Sequence, residues 1–332
     1  MSDVGISDVA SMAGVSVGTV SNYFNRPEVL ADSTAHRVRQ AIHELGYVRN
    51  SAARDLRVGR MRSIGLLVLD ISNPFFTDFV EGVERVANEA GLAVILGNTK
   101  ENAAKEAAYL DLFQEQRVAG VILSPIGDVS AQLGAFRKLG VSAVLVDDAP
   151  GLMDLCSVAV DDSTGGAEAI SHLAATGRKH VLILSGPSRI HQARARIEGA
   201  LRKAADLRLQ VTVFEVDAFS ASAARAAVDR LIHDRGGPFF DGLFAANDVM
   251  ALGAMQALHE NAVAIPEAVG VVGYDDIIYA AALFPSLTSV RQPSDRMGAQ
   301  AMELLLDEIN HPASHQHKRV TFTPELHPRQ TT

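Results

Sequence analysis

Two periodicities of hydrophobic residues divide the chain near residue 62. Upstream of this point, apolar residues recur at helical spacing, and nothing alternates with the two-residue period of a strand. The clearest helical run consists of Val38, Ala41, Ile42 and Leu45. The pattern predicts three short helices in the first 46 residues. A fourth helical stretch is predicted from Asn50 to about Val58, too short to be stable by itself.

Polar and glycine residues mark where these three helices are predicted to begin and end. Ser7-Asp8 is placed to cap the first helix, and Gly14 ends it. Ser16 is placed to cap the second helix, and Asp32 opens the third. The closely spaced starts and stops predict a small all-α domain at this end of the chain.

From Ser63 onward, short β-branched hydrophobic runs alternate with amphipathic helices, which is the pattern of parallel βαβ units. The predicted strands are Ile64–Leu69, Ala93–Leu96, Gly120–Leu123, Ala143–Val146, His180–Leu184, Val211–Val216, Gly242–Ala245 and Val269–Gly273. The predicted helices include Phe75–Ala90, Ala103–Gln116, Gly165–Thr176, Ala193–Ala205 and Ala221–His233. Because the strands are almost continuously apolar, both faces of each sheet are predicted to be covered.

Two breaks in this alternation predict where the chain crosses between two sheets. The first lies at Asp148–Cys156. The second follows Tyr274, where Pro285 and Pro293 bracket a short strand around Ser289-Val290. The predicted fold class is therefore α/β, with a small all-α domain followed by a two-lobed domain built on parallel sheets.

The length of 332 residues and the hydrophobic content of 48% exceed what one core usually serves, which also favours more than one domain. The predicted boundaries are 1–49 for the helical domain, 50–62 for a hinge helix and linker, and 63–332 for the two-lobed domain. Within the last, the N-lobe is predicted to span about 63–160 plus 291–323, and the C-lobe about 161–290.

Charge is distributed unevenly along the chain. Residues 1–62 hold eight arginines, no lysine and six acids, a net charge of +2, whereas the remaining 22 basic and 33 acidic residues give −11. Only the N-terminal part therefore has a positive net charge, which suits binding to the phosphate backbone of a nucleic acid. The sequence contains no run of about 18 apolar residues, so no membrane span is predicted. Its acidic N-terminus lacks the features of a signal peptide. The sequence predicts a cytoplasmic protein with no membrane partner.

The first two predicted helices have the residue types of a helix-turn-helix. Apolar residues fall at the inward-facing positions Val9, Ala13, Val15 and Val20. Ala10 is small where two helices approach closely, and Gly14 sits at the turn. Thr19, Ser21 and Asn22 are expected on the outer side of the second helix, available to phosphates and base edges. A protein-binding three-helix bundle is the alternative.

Four short motifs at fixed spacing carry a specific resemblance. They are Asp8-Val9-Ala10, Ala13-Gly14-Val15-Ser16, Thr19-Val20-Ser21 and Asn25. The segment resembles the lactose-repressor/galactose-repressor family of bacterial transcription regulators. The resemblance implies a set of DNA-contacting residues, which are Ser7, Ser16, Val17, Gly18, Thr19, Ser21, Asn22 and Asn25. It assigns base reading chiefly to Val17, Gly18 and Asn22, of which Asn22 can pair with an adenine edge.

The same family carries a hinge helix, matched here by Asn50, Ala53, Arg54 and Leu56. The resemblance implies that two such helices pair over the operator centre and that Leu56 wedges into the minor groove. The alternative is a core leucine, but the residues around Leu56 are too polar to bury much surface. The expected assembly is a homodimer on a pseudo-palindromic, double-stranded operator, because no leucine-heptad segment is present to join dimers.

The part after Ser63 resembles the family's effector domain, which shares its fold with periplasmic sugar-binding proteins. The motifs that carry this resemblance are Asn73-Pro74-Phe75-Phe76, Gly186-Pro187, Arg196-Ile197-Glu198-Gly199, Ala246-Asn247-Asp248 and Gly273-Tyr274-Asp275-Asp276. They are expected past the carboxyl ends of strands, where open parallel sheets bind ligands. The predicted effector-binding residues are Asp70, Phe75, Phe76, Asp148, Arg196, Phe219, Asn247, Asp275 and Gln292. Acids, amides and aromatic rings together suit a polyhydroxylated molecule, so a sugar is the expected effector.

Some neighbouring residues have a structural interpretation instead. Asp248 and Asp276 are expected to cap helices that follow strands, a role that Asn247 can share. Phe79 and Phe113 fall at helical spacing and are expected in the core rather than in the cleft.

Signatures of enzymes and metal sites are absent from the sequence. There is no Gly-X-Gly-X-X-Gly motif after the first strand and no Gly-Lys-Ser/Thr loop, so no nucleotide cofactor is predicted. His311, His315 and His317 cluster near the end, but no cysteine or carboxylate stands at ligand spacing. They are interpreted as a surface loop that binds no metal. Cys156, the single cysteine, is interpreted as a packing residue.

These features predict a sequence-specific DNA-binding transcriptional regulator, a repressor by resemblance, whose operator affinity a small polar effector changes allosterically. Operator and effector must then alter each other's affinity equally. Two alternatives are an exported-type sugar-binding protein without a regulatory role and an α/β enzyme with an accessory DNA-binding domain. A signal peptide would support the first and a nucleophile with its base the second, and neither is found in the sequence.

Overall fold

The computed structural model describes residues 4–47, 63–147 and 154–332, and the chain divides into two compact units near residue 60. Five of the predicted site residues lie outside the described residues, namely Asn50, Ala53, Arg54, Leu56 and Asp148. Within the described ranges, no helix is long and apolar enough to span a bilayer.

The first unit is built from three α-helices. Helix α1 spans Ile6–Ala13, α2 spans Val17–Asn25 and α3 spans Asp32–Leu45, with a 3-10 turn at Pro27–Val29. Its core consists of Val9, Ala10, Ala13, Val20, Val38 and Ala41. Val15 is half-buried against this core. The inward-facing positions predicted from the helical period are therefore confirmed.

The predicted cap of α1 is wrong, whereas that of α2 is confirmed. Gly5 is the N-cap of α1, and the Asp8 carboxylate accepts a hydrogen bond from the Gly5 N–H over 2.8 Å. Asp8 therefore stabilises the helix from its first turn, where a negative charge also favours the helix dipole. Ser16 caps α2, because its Oγ accepts from the Thr19 N–H at 3.0 Å.

The second unit contains two six-stranded sheets with helices between the strands. The strands are β1 (Ser63–Val68), β2 (Ala93–Asn98), β3 (Gly120–Leu123), β4 (Ser142–Val146), β5 (Cys156–Val160), β6 (His180–Ser185), β7 (Gln210–Glu215), β8 (Gly242–Ala245), β9 (Gly270–Asp275), β10 (Thr288–Arg291), β11 (Arg319–Phe322) and β12 (Glu325–His327). The helices are α4 (Pro74–Glu89), α5 (Ala103–Glu115), α6 (Ser130–Lys138), α7 (Asp162–Ala175), α8 (His191–Asp206), α9 (Ala221–Arg235), α10 (Asp248–Glu260), α11 (Ile278–Ala282) and α12 (Ser294–Asn310).

The two sheets define two lobes. The N-lobe sheet has the order β11-β5-β4-β3-β1-β2, with every neighbouring pair parallel. The C-lobe sheet has the order β12-β10-β9-β8-β6-β7 and is parallel except between β12 and β10. The α/β class and the two-lobed architecture with parallel sheets are therefore confirmed.

Side chains of β1 alternate between two hydrophobic cores, one on each face of the N-lobe sheet. Leu66 and Val68 belong to the core that includes Phe79 of α4, whereas Leu67 belongs to the opposite core with Phe113 of α5. This explains the continuous apolar run of the strand, since neither face meets solvent. Phe79 and Phe113 are almost fully buried, as predicted.

The chain crosses between the lobes at positions that differ in part from the prediction. The segment Asp148–Cys156 was predicted as a crossing, which is wrong, because β4 and β5 on either side of it are neighbours in one sheet. The second predicted crossing agrees with the structure, because the chain leaves the C-lobe after β10. The other two crossings lie after β5 and between β11 and β12. The last crossing places Glu325–His327 beside β10, and the Thr331 carbonyl accepts from the Val271 N–H at 2.8 Å. Neither predicted lobe included these last residues.

Helices α7 and α8 pack closely because a glycine lies at their contact. A Cβ on Gly199 of α8 would overlap the carbonyl of Ser163 in α7, so no larger residue fits there. The close approach brings together Asp162, the first residue of α7, and Arg196, one turn before Gly199. The packing of these two helices thus positions a buried charge pair at the edge of the C-lobe.

Candidate functional site

A pocket lies between the lobes, past the carboxyl ends of strands from both sheets. Its polar lining residues are Asp70, Asn73, Glu101, Asp147, Asp162, Gln192, Arg196, Asn247, Asp275 and Gln292. Its apolar lining residues are Leu69, Phe75, Phe76, Val146, Ala159, Val160, Ile190, Phe219 and Met297. Eight of the nine predicted effector residues meet here, and the ninth, Asp148, is not described. We call this the interlobe pocket.

Three phenylalanine side chains form apolar walls of the interlobe pocket. Asn73 caps α4 by accepting from the Phe75 N–H at 3.1 Å, and the fixed backbone of Pro74 begins the helix. This local structure presents Phe75 and Phe76 to the pocket, with their ring centroids 5.0 Å apart in an edge-to-face contact. Phe219, from the loop before α9, contributes to the lining from the C-lobe side. Such rings suit the apolar faces of a small ligand.

A buried guanidinium forms part of the C-lobe side of the pocket. Arg196 Nε donates to Asp162 Oδ1 over 2.7 Å, and Nη1 donates to the Ala246 carbonyl over 2.7 Å. Arg196 also lies over the ring of Tyr274, 3.8 Å from its centroid. Burial works against the charge of Arg196, but the carboxylates of Asp162 and Asp275 outweigh it and raise the pKa of the guanidinium. The side chain is therefore a fixed, permanently charged donor.

Asp275 lies at the centre of the polar lining. Its carboxylate accepts from Asn73 Nδ2 at 3.1 Å and from Gln292 Nε2 at 2.7 Å, and its Oδ1 is 3.6 Å from Arg196 Nη1. Its backbone φ of 104° is strained for a residue with a side chain. Burial raises the pKa of Asp275, although Arg196 and the two amide donors oppose this. The arrangement holds one carboxylate against a ligand space between the lobes.

Asp70 and Asn247 are both held by local backbone groups. Asp70 Oδ1 accepts from the Ser72 N–H at 3.0 Å. Asn247 is the N-cap of α10, accepting from the Met250 N–H at 2.8 Å, which is the capping role considered from the sequence. Both side chains still line the pocket, so the cap fixes the amide of Asn247 in place rather than removing it from the site.

Sequence reasoning missed several polar residues of the interlobe pocket, among them Asp162, Glu101 and Gln192. Glu101 Oε1 accepts from the Phe219 N–H at 3.2 Å, but its Oε2 is buried without a hydrogen-bond partner among the described residues. Gln192 Nε2 donates to Ser124 Oγ at 3.1 Å, and its Oε1 is likewise unpartnered. The positions of two of these residues in the sequence could have indicated the site, because Glu101 follows the end of β2 and Asp162 follows the end of β5.

The predicted helix-capping roles of Asp248 and Asp276 are wrong. Asp248 is the first residue of α10, and its carboxylate accepts from the Ile277 N–H at 2.9 Å and from Ser289 Oγ at 2.6 Å. Asp276 instead forms ion pairs with His327 and Arg329 of the C-terminal segment. Both carboxylates serve long-range contacts because the strand ends of the C-lobe converge there.

The first unit presents part of its predicted DNA-contacting set to solvent. Ser7, Ser16, Val17, Gly18, Asn22 and Asn25 are exposed. Thr19 and Ser21 are half-buried rather than exposed. Their hydroxyl groups contact neighbouring side chains: Thr19 Oγ1 lies 2.9 Å from Ser16 Oγ, and Ser21 Oγ accepts from Asn25 Nδ2 at 3.2 Å. Val17 has 46% of its surface exposed although it is apolar, which fits a contact made with another molecule.

Cys156 and two histidines form a further cluster, away from the interlobe pocket. Cys156 Sγ lies 3.2 Å from His315 Nε2 and 3.9 Å from His317 Nδ1. No cysteine stands at ligand spacing from these histidines along the sequence, but the fold places Cys156 beside them. The pairing of β5 with β11 brings together residues about 160 positions apart, which spacing along the sequence could not show.

Comparison with known proteins gives consistent matches to both units. Residues 5–50 match the family model described as "Bacterial regulatory proteins, lacI family", and residues 170–332 match a "Periplasmic binding protein-like domain". The chain is 31% identical over 326 residues to the "HTH-type transcriptional repressor PurR" of Aliivibrio fischeri (strain MJ11), covering 97% of this chain and 96% of the relative.

Solved structures resemble the chain over almost its whole length. A lac repressor dimer bound to operator and the anti-inducer ONPF has a TM-score of 0.81 and 25% identity, covering 100% of this chain and 99% of the other. A transcriptional regulator CelR-cellobiose complex has a TM-score of 0.73 and 28% identity, and the match covers 99% of this chain and 100% of the other. Both comparisons extend the match beyond the fold of one domain.

Proposed function

Because the chain belongs to the lacI family of bacterial regulatory proteins and is a DNA-binding transcriptional repressor, we propose that a sugar in the interlobe pocket controls its operator affinity. Two buried acceptors support this proposal. Glu101 Oε2 and Gln192 Oε1 have no hydrogen-bond partner within the described ranges and line a pocket with phenylalanine walls. Unpartnered buried acceptors cost free energy unless a ligand supplies donors, and sugar hydroxyls are such donors.

The remaining polar residues supply complementary chemistry. The carboxylates of Asp70 and Asp275 accept hydroxyl hydrogens, and Arg196 is held in place as a donor by Asp162. Phe75 and Phe76 cover the apolar face of a sugar ring. The cellobiose complex of a similar regulator supports the assignment of the effector class.

The proposed mechanism couples this pocket to DNA through the two lobes. Residues from both lobes line the pocket, so a bound ligand changes the free energy of the arrangement that it contacts. We propose that this arrangement controls the pairing of two hinge helices, with Leu56 of each in the minor groove of a two-fold operator. The active form is then a cytoplasmic homodimer, with one helix-turn-helix on each half-site.

A thermal-shift panel of sugars, nucleosides and purines tests the effector class. Sugar binding raises the melting temperature, because a ligand that binds only the folded state stabilises it by mass action. Gln192→Met should abolish the shift, while Gln256→Met, an exposed glutamine of α10, should retain it. Stabilisation by nucleosides or purines alone would overturn the sugar assignment.

A further inference from the structure

Three potential metal ligands meet at the edge of the N-lobe sheet. Cys156 begins β5, and His315 and His317 lie just before β11. The parallel pairing of Ser157 with Arg319 places these segments side by side. The Cys156 Sγ and one ring nitrogen of each histidine all lie within 4.8 Å of one another. Three ligating atoms from two distant parts of the chain thus converge on one point.

We propose that Cys156, His315 and His317 bind a transition-metal ion with the preferences of zinc. Zinc binds thiolate sulfur at about 2.3 Å and imidazole nitrogen at about 2.0–2.1 Å, in tetrahedral geometry. Those lengths imply a sulfur-to-nitrogen separation of about 3.5 Å between two ligands. The two observed separations, 3.2 and 3.9 Å, lie on either side of this value. The two ring nitrogens lie within 4.8 Å of each other, so movement of the exposed His317 ring is the adjustment that a metal ion requires.

Asp307 of α12 orients one of the proposed ligands. Its Oδ2 is 2.8 Å from His315 Nδ1, so this ring nitrogen carries the hydrogen and donates a hydrogen bond to the carboxylate. His315 Nε2 is then left with a free lone pair, directed towards Cys156 Sγ. A carboxylate that fixes the tautomer of a histidine in this way is a common support of zinc ligands.

Burial and ligand type favour zinc over the hard cations. Cys156 is fully buried and the side chain of His315 is 2% exposed, whereas His317 is exposed. The exposed histidine leaves one side open for entry of the ion and for a water molecule as fourth ligand. A sulfur and two imidazole nitrogens select a borderline or soft metal rather than magnesium or calcium, which prefer oxygen.

The proposed site lies at the amino end of β5, whereas the interlobe pocket lies at the carboxyl ends of the strands. The pocket includes Val160, at the carboxyl end of β5, whereas Cys156 lies at the amino end of the same strand. Ser63 begins β1 at this amino edge too, three strand spacings away, which is about 15 Å. The ion would join β5 to the segment that leads into β11 and the last crossing. Binding should therefore stabilise the N-lobe without competing with the effector.

Cobalt binding to the full-length, tag-free chain tests this proposal. Co²⁺ replaces Zn²⁺ in such sites and reports thiolate ligation through a sulfur-to-metal charge-transfer band. We expect one Co²⁺ per chain with this band, displaced by one equivalent of Zn²⁺, and a higher melting temperature with either ion. His317→Ala should abolish the band without affecting the fold, because the residue is exposed. Cys156→Ser should abolish it too.

Two further variants separate the proposed site from adventitious binding. His311→Ala should retain the charge-transfer band and the stoichiometry, because His311 contacts Asp307 but is not a proposed ligand. Asp307→Asn should weaken metal affinity about tenfold to hundredfold while leaving the band in place at saturation. The proposal fails if the wild-type chain shows no charge-transfer band. It also fails if His317→Ala binds Co²⁺ as tightly as the wild type does.

Discussion

Asn73 Nδ2 donates a hydrogen bond of 3.1 Å to the carboxylate of Asp275, and these two residues belong to different lobes. Asn73 caps α4 of the N-lobe, while Asp275 ends β9 of the C-lobe. The bond is buried and crosses the interlobe pocket. A ligand that contacts either residue therefore acts on a direct connection between the lobes.

Substitution of Asn73 separates its two contacts. Asn73→Ser should keep the cap of α4, because serine is a good N-cap residue, but it cannot reach Asp275. A hydrogen bond to a charged group contributes about 1.5–3 kcal/mol, so the free energy of unfolding should fall by about this amount. Asn73→Ala should cost a further ~1 kcal/mol through loss of the cap. Equal values for the two variants in urea unfolding would show that the cap contributes nothing.

Loss of one partner of the buried ion pair between Arg196 and Asp162 should strongly destabilise the folded protein. Arg196→Met leaves Asp162 buried without its partner, which should lower the free energy of unfolding by about 3–5 kcal/mol. Arg225→Met removes an ion pair with Glu260 whose side chains are exposed, and should leave stability within experimental error. Chemical denaturation of both variants checks the contrast, and similar losses in both would contradict it.

The buried carboxyl of Asp248 should make stability depend on pH. Burial holds the pKa of Asp248 well above its usual 3.8. From pH 3.8 upward, until the folded-state pKa is passed, the unfolded chain is ionised while the folded chain holds the proton. The contribution of Asp248 to the free energy of unfolding is therefore fully present below pH 3.8. It falls as the pH rises through this window, by about 1.4 kcal/mol per pH unit.

Asp248→Asn should remove this dependence while keeping both contacts. The amide oxygen can accept from the Ile277 N–H, and the amide nitrogen can donate to Ser289 Oγ. The variant should therefore gain stability relative to the wild type as the pH rises above about 4. Unfolding curves measured across this range give the difference. A constant difference at every pH would mean that Asp248 has the same pKa in both states.

Asn22 should carry operator specificity. It is exposed on α2, and its amide can pair with the edge of a base. Asn22→Ala should weaken binding to a selected operator by about tenfold to hundredfold, since one such contact contributes about 1–3 kcal/mol. Binding to random DNA should change little. Gln40→Ala, at an exposed position of α3, is the control in fluorescence anisotropy. A uniform loss on both DNAs would indicate a phosphate contact instead.

The sequence predicted most of the fold because its strands are continuously apolar and its helices are amphipathic. It missed β5, which follows a break in the hydrophobic pattern of the sequence, and it missed β11 and β12, which are edge strands of only three or four residues. For the site, the order of strands and motifs placed Phe75, Arg196 and Asp275 correctly in one pocket. It could not show that Arg196 faces Asp162, because that contact depends on the packing of α7 against α8.

Long-range pairing also explains the contacts that sequence spacing could not reveal. Cys156 and His315 are adjacent only because β5 and β11 are neighbours in the N-lobe sheet. Asp248 resembles a helix cap in the sequence, yet Asn247 takes that position and leaves the carboxylate for Ser289. In each example the residue type indicated polar chemistry, while the partner was fixed by the topology.

Coupling between operator and effector is the central consequence of the proposed mechanism. Operator affinity is measured by fluorescence anisotropy with and without the sugar found in the thermal-shift panel, and sugar affinity is measured with and without operator. We predict that the two affinities change by the same factor, as linkage requires. Gln192→Met, which weakens sugar binding, should abolish the change at the same sugar concentration. Operator affinity that stays constant at saturating sugar would contradict the proposed mechanism.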